Sequence, residues 1–291
     1  MSKCIGKIGL HNLAKKNIFG LLSNMIVSTP LSQTDFSLIR NSKQIFSDCY
    51  MLSSLDALTK SEQGRRILSE NIKRVSFYDT SKSSVFNDVF YKNTPSLDFS
   101  GFGGDSFQIR FSKVNGKEEK FLIFPNDKKY LYITQKQKSK IIGAIESAMS
   151  YLVDKYPNKK PFISRIFSPK KQNFEYNRAS NFLEMFTGKK PYVLAETALN
   201  LNLKPYKKQV YALFEKMAAS QKEGYSFIAG SGMKKMSDGR RWHCYSVLNV
   251  DSENKKITLI NKRTNIPTVY SFDEAISKLK YFVGYFNEDL K

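Results

Sequence analysis

The run SDCYMLSSLDALTKSEQGRRIL, Ser47 to Leu68, sets how the first half of the chain is organised. Met51, Leu52, Leu55 and Leu58 recur at helical spacing, and Ser47 and Asp48 stand ahead of them as residues able to cap a helix N-terminus. Cys49 is therefore expected in the first turn. There the positive end of the helix dipole and unpaired N–H groups favour a thiolate over a thiol. Most free cysteines are nonetheless small buried apolar residues, so this position alone does not make Cys49 a nucleophile.

Outward from that run, a second short helix is expected around Gln63 to Lys73, with Ile67, Leu68 and Ile72 as its apolar positions. The period then changes. Phe107, Ile109 and Phe111 alternate with polar residues, Asn115-Gly116 supplies a turn, and KFLIF returns, which reads as a β-hairpin. Lys138 to about Tyr156 reads as a long amphipathic helix with Ile141, Ile142, Ile145, Ala148, Met149, Leu152 and Val153 on one stripe. A short helix near Ser180 to Phe186 is ended by Gly188. After a helix from Tyr206 to about Gln221, β-like runs begin at Tyr225 (YSFIA), Trp242 (WHCYSVLNV) and Lys256 (KITLI). Ser271 and Glu274 have capping-box spacing for a helix to about Leu279, and YFVGYF supplies a last strand. The fold class read from this order is α+β. Residues 1–36 form an N-terminal extension of unassigned role, 37–190 a mainly helical lobe carrying Cys49, and 191–291 a β-rich, antiparallel lobe.

In the Trp242 run, His243 is expected to share a strand face with Tyr245 and Val247, while Cys244, Ser246 and Leu248 point the other way. Asn261 follows His243 by 18 residues at the end of the next strand, and a turn at Asp251 to Asn254 would make the two strands antiparallel neighbours. An Asn side-chain oxygen that accepts the imidazole N–H selects the tautomer whose other nitrogen faces a thiol. The plain alternative is a half-buried histidine and a turn asparagine.

The three segments resemble the calpain-type branch of the papain-like cysteine proteases, most of all its short bacterial members. SDCYMLSSLDAL is similar to the nucleophile segment, RWHCYSVLNV to the His-bearing strand, ITLINKRTN to the strand that ends in Asn-Pro-Trp, and NFLEMFTGKK to the segment between the lobes. The resemblance runs from about residue 40 to 286. It implies a two-lobed papain-like fold and a thiol endopeptidase with Cys49 as nucleophile, His243 as base and Asn261 as orienting residue. The family's oxyanion glutamine stands six residues before the nucleophile, where this chain has Lys43; Gln44 is one place on, and either side chain could donate. Lys262 and Arg263 replace the family's Pro and Trp, which leaves Trp242, the only tryptophan, as a candidate cover for the His–Asn hydrogen bond. Cys244 replaces a small Ala and reads as a packing residue.

Composition narrows the partners. The 291 residues are 41% hydrophobic, enough for a sizeable core, and carry a formal charge of +21 at pH 7, which favours acidic partners or substrates by long-range attraction. Cys4, Cys49 and Cys244 are an odd, widely spaced set, and with only His11 and His243 no zinc pattern can be drawn, so neither a disulfide framework, a metal nor a cofactor is expected. The uncharged stretch Asn17 to Thr34 is broken by polar residues and Pro30, and VSTP makes a poor cleavage site after IFGLLSNMIV; neither a transmembrane segment nor a clear signal peptide is expected. FSGFGGD reads as a tight turn, and Asp251 to Lys262 fails as an EF-hand. The basic runs at Lys159 to Arg165, Lys170-Lys171 and Lys207-Lys208 are scattered and accompany no nucleic-acid module. The protein or peptide substrate reading competes with a deamidase, transferase or isopeptidase on the same fold, and with a catalytically silent basic binding module.

Overall fold

The computed structural model describes residues 26–45, 48–77, 106–114, 116–125, 128–137, 139–155, 179–194, 204–232 and 234–284. Ser47, Asn115, the FSGFGGD turn and the basic runs at Lys159 and Lys170 lie outside them. The described residues form an α+β structure with eight helices and two antiparallel sheets.

The first sheet runs in the order β1 (Ile26–Thr29), β2 (Ile72–Phe77), β3 (Ser106–Val114), β4 (Lys117–Ile123). Packed with it are α1 (Gln33–Asn41), α2 (Cys49–Thr59), α3 (Glu62–Asn71), α4 (Lys128–Lys136), α5 (Lys140–Lys155) and α6 (Ala179–Thr187). The lobe read as mainly helical thus also carries a sheet. Residues 26–36, read as part of an extension, supply β1 and the first turn of α1, because Leu31 and Phe36 are buried and Ser32 forms a capping box with Asp35. Ile72, counted on the apolar stripe of α3, instead opens β2 opposite Ile109. A β-branched residue fits either element, and cross-strand pairing decides it. The hairpin forms as its alternation predicts, with Gly116 at φ 79° in the turn.

The second sheet has the order β5 (Tyr192–Leu194), β10 (Leu279–Gly284), β6 (Phe227–Ser231), β7 (Cys244–Asp251), β8 (Lys256–Asn261), β9 (Ile266–Ser271). The remaining helices are α7 (Lys204–Lys222) and α8 (Phe272–Lys278), the latter capped by Ser271 through the Glu274 N–H. Both faces of this sheet are packed. Phe227, Ala229, Tyr245 and Val247 join the core built by α7 and α8, while Ile228, Cys244 and Val283 join the core around α2. From Cys244 to Val247 the alternation along β7 is the one its sequence implies, and a register shift between Val247 and Asn249 then returns Val250 to the core of Tyr245 and Val247.

All eleven residues of α2 are buried, which suits a helix enclosed on every side. Its polar side chains are satisfied locally or across the boundary. Ser54 donates to the Tyr50 carbonyl at 2.6 Å and Ser53 to the Cys244 carbonyl at 2.9 Å. This second bond fixes α2 against the first residue of β7.

Candidate active site

Cys49 is the first residue of α2, and the helix begins without a side-chain cap, since the carboxyl of the N-cap residue Asp48 accepts no backbone N–H. That carboxyl is turned inward toward Glu146 of α5. Burial pushes the carboxyls of both Asp48 and Glu146 above the usual carboxylate range.

His243 stands just ahead of β7 rather than within it. Trp242 adopts a left-handed φ of 52°, which breaks the extended run before Cys244. The His243 backbone is instead clamped to the end of β6: its N–H donates to Ser231 Oγ at 2.9 Å, and its carbonyl accepts the Ser231 N–H at 2.8 Å. Asn261 ends β8 and pairs with Tyr245, so the antiparallel register brings its amide beside the imidazole. His243 Nε2 and Asn261 Oδ1 are 2.8 Å apart. The Cys49 side chain lies close enough to the ring for each to shift the other's pKa. Cys49, His243 and Asn261 thus form one buried cluster drawn from three separate segments.

Burial alone would lower the His243 pKa, but the hydrogen bond to Cys49 and the charge on it, the Asn261 bond and the Asp238 charge together hold it above the ordinary imidazole value. The Cys49 thiol is pushed up, first by its hydrogen bond with Cys244, then by burial, with His243 pulling it down. Cys244 is more than a packing residue. Its thiol lies 2.9 Å from the Tyr281 hydroxyl, and that ring lies over Gly230, where a Cβ would stand 2.1 Å from it. Cys244 and His243 thus pull the Cys49 pKa in opposite directions. Cys244→Ala is expected to speed alkylation of Cys49 by iodoacetamide at neutral pH several-fold, read by mass, because His243 becomes the thiol's sole polar partner of the two. A slower or unchanged rate would count against this competition.

Gln44 and Lys43 precede the cluster. The Gln44 N–H donates to the Lys262 carbonyl at 2.8 Å and the residue is half-buried, whereas Lys43 is exposed. Lys262 is only 1% exposed. Its ammonium reaches the Arg40 carbonyl and Asp56 of α2, which also takes Lys60 at 3.0 Å and the Ser246 hydroxyl. Where the resembled family has an aromatic cover, this chain has a buried ionic bridge from the residue after β8 to α2. Trp242 places its ring under Lys280 Nζ at 4.4 Å, and the ring set edge-on to His243, with centroids 5.0 Å apart, is that of Tyr245.

Sequence reading missed Asp238, in the loop between β6 and β7. Its carboxylate accepts Asn261 Nδ2 at 2.7 Å and the Tyr245 hydroxyl at 3.2 Å. Nothing in its local sequence, SDGRR, separates it from any turn aspartate. Among the described residues no group of three His, Cys, Asp or Glu side chains is placed to hold a metal ion, and no helix is long and apolar enough to cross a membrane. No protein-family model matches the chain, and no curated protein matches it.

Proposed function

We propose that this chain is a cysteine endopeptidase of two-lobed, papain-like architecture, similar to the calpain type, hydrolysing peptide bonds through Cys49, His243 and Asn261. The observation that carries the reading is the His243 ring held between two partners. Nε2 bonds to Asn261 at 2.8 Å, and the ring lies near enough to the thiol at the N-terminus of α2 to pull that thiol's pKa down.

The chemistry is acyl transfer. With Nε2 engaged by Asn261, Nδ1 is the nitrogen left to take the Cys49 proton. The thiolate attacks the peptide carbonyl carbon, and the tetrahedral intermediate collapses as His243 protonates the leaving amine. A thioester remains on Cys49. Water, deprotonated by His243, attacks it and releases the carboxylic acid, returning the proton to the thiol. The Cys49 N–H serves as the main-chain donor to the oxyanion, with Gln44 or Lys43 as its side-chain partner. The positive charge of the chain suits acidic protein segments as substrates.

An epoxysuccinyl peptide at neutral pH tests the reading, with adducts mapped by mass. One adduct on Cys49, lost in His243→Ala, is the expected result. Equal labelling of Cys4, Cys49 and Cys244, or labelling of Cys49 that does not depend on His243, would sink it.

A further inference from the structure

We propose that Asp238 is a fourth, positioning member of the site, whose carboxylate locks the Asn261 amide in the one orientation that keeps His243 a base toward Cys49. This rests on the Cys49–His243–Asn261 reading and adds to it what holds the asparagine in place of the aromatic cover that Lys262 and Arg263 displace.

The argument is one of donor and acceptor sense. An ionised carboxylate only accepts hydrogen bonds, so the Asn261 NH2 must face Asp238 at 2.7 Å. Oδ1 then faces His243 Nε2, and it also accepts the Arg263 N–H at 2.9 Å. An acceptor opposite Nε2 requires that Nε2 carry the ring proton, which leaves the Nδ1 lone pair for the thiol. Flipping the amide would set its NH2 against Nε2, make Nε2 the acceptor and move the proton to Nδ1, where His243 could no longer take a proton from Cys49. The wrong tautomer in a catalytic triad is severely disabling.

Asp238 is itself held. Oδ1 accepts the Arg240 N–H at 3.0 Å, and the Tyr245 hydroxyl donates to the carboxylate from the strand that follows His243. The loop is anchored by the buried Met236, by a Gly239 N–H bond to the Met236 carbonyl at 2.9 Å with Gly239 at φ 77°, and by Ser237 against the Tyr270 hydroxyl at 2.6 Å. A position at the end of an ordinary solvated loop would need none of these. The groups named around the imidazole are then Cys49 from α2, Asn261 from β8, Tyr245 from β7 and Asp238 from this loop, and the charge on Asp238 is one of the influences that raise the His243 pKa.

The test is 15N NMR of the full chain labelled at its two histidines, with His11→Gln to assign them. In the wild type the neutral His243 ring should show the Nε2–H tautomer. Asp238→Asn, isosteric but able to offer either an oxygen or an NH2, should lower the His243 pKa, populate the Nδ1–H form and reduce kcat about tenfold with little change in KM. Asp238→Glu, which remains acceptor-only, should keep the wild-type tautomer. A His243 spectrum unchanged in Asp238→Asn overturns the proposal whatever happens to turnover. Tyr245→Phe, which keeps the ring but releases Asp238, should move the tautomer in the same direction, and serves if Asp238→Asn does not fold. The NMR reading does not depend on peptidase activity: an inert Cys49 would defeat the proposed function, whereas an unmoved His243 would defeat only the role of Asp238.

Discussion

Cys49→Ala and His243→Ala are each expected to lower peptide hydrolysis on the order of 10,000-fold or more, measured with an unfolded protein or fluorogenic peptide substrate. Alanine at position 49 removes the only atom that forms the acyl intermediate. Alanine at 243 leaves the sulfur but strips it of its base: the thiol then has Cys244 and burial around it, both of which push its pKa up, and it loses the imidazole that pulls it down. Because the two residues act as one unit, the double variant should be no slower than either single one. Asn261→Ala should cost less, since the imidazole remains beside the thiol and loses only its orientation. Equal turnover across the wild type and all of these variants would dismiss the mechanism.

Asp56→Ala is expected to destabilise the fold by about 3–5 kcal/mol, read as a fall in the urea midpoint. Asp56 is fully buried and is the carboxylate shared by two ammonium groups, Lys60 at 3.0 Å and Lys262 at 3.3 Å. Its removal strands both charges in a site that has no other carboxylate among these contacts. Lys262→Met should cost less, because Asp56 keeps Lys60 and the Ser246 hydroxyl. The same network predicts a direction for acid unfolding. Burial would raise the Asp56 pKa, but Lys60 and Lys262 outweigh it and hold the carboxyl below its ordinary 3.8. A depressed acid contributes stability above the unfolded-state value and loses it as pH falls through the folded one. The contribution is therefore complete at neutral pH and is lost below about pH 4. Asp56→Asn should flatten that part of the acid transition; an unchanged acid limb would show that Asp56 does not contribute.

The legible parts of the chain are those where one local pattern leaves no alternative. The stripe through Met51, Leu52, Leu55 and Leu58, the alternation at Phe107, Ile109 and Phe111, and the spacing from His243 to Asn261 each give the element found. What was not legible depends on partners distant in sequence. β1 and β9 show little pattern of their own and exist because β2 and β8 offer them an edge. His243 reads as a strand residue, yet the positive φ of Trp242 sets it ahead of the strand. Lys262 reads as a surface charge until Asp56, 206 residues earlier in the chain, is seen to receive it. Cys244 reads as filler for the same reason: only folding sets its thiol beside that of Cys49.

The enclosure of α2 governs the order in which this protein becomes competent during synthesis. The bonds that hold the helix in place, Ser53 to Cys244 and Asp56 to Ser246, span 191 and 190 residues. Contacts so distant close last, after their loop entropy has been met. A nascent chain that has released only its first half holds an apolar helix with one whole side uncovered, a surface that holdase chaperones and aggregation compete for. Nor can it hold the proposed site, because His243 and Asn261 have yet to leave the ribosome. Under the proposed mechanism, synthesis itself thus keeps the thiol idle until the segments bearing His243 and Asn261 have been made.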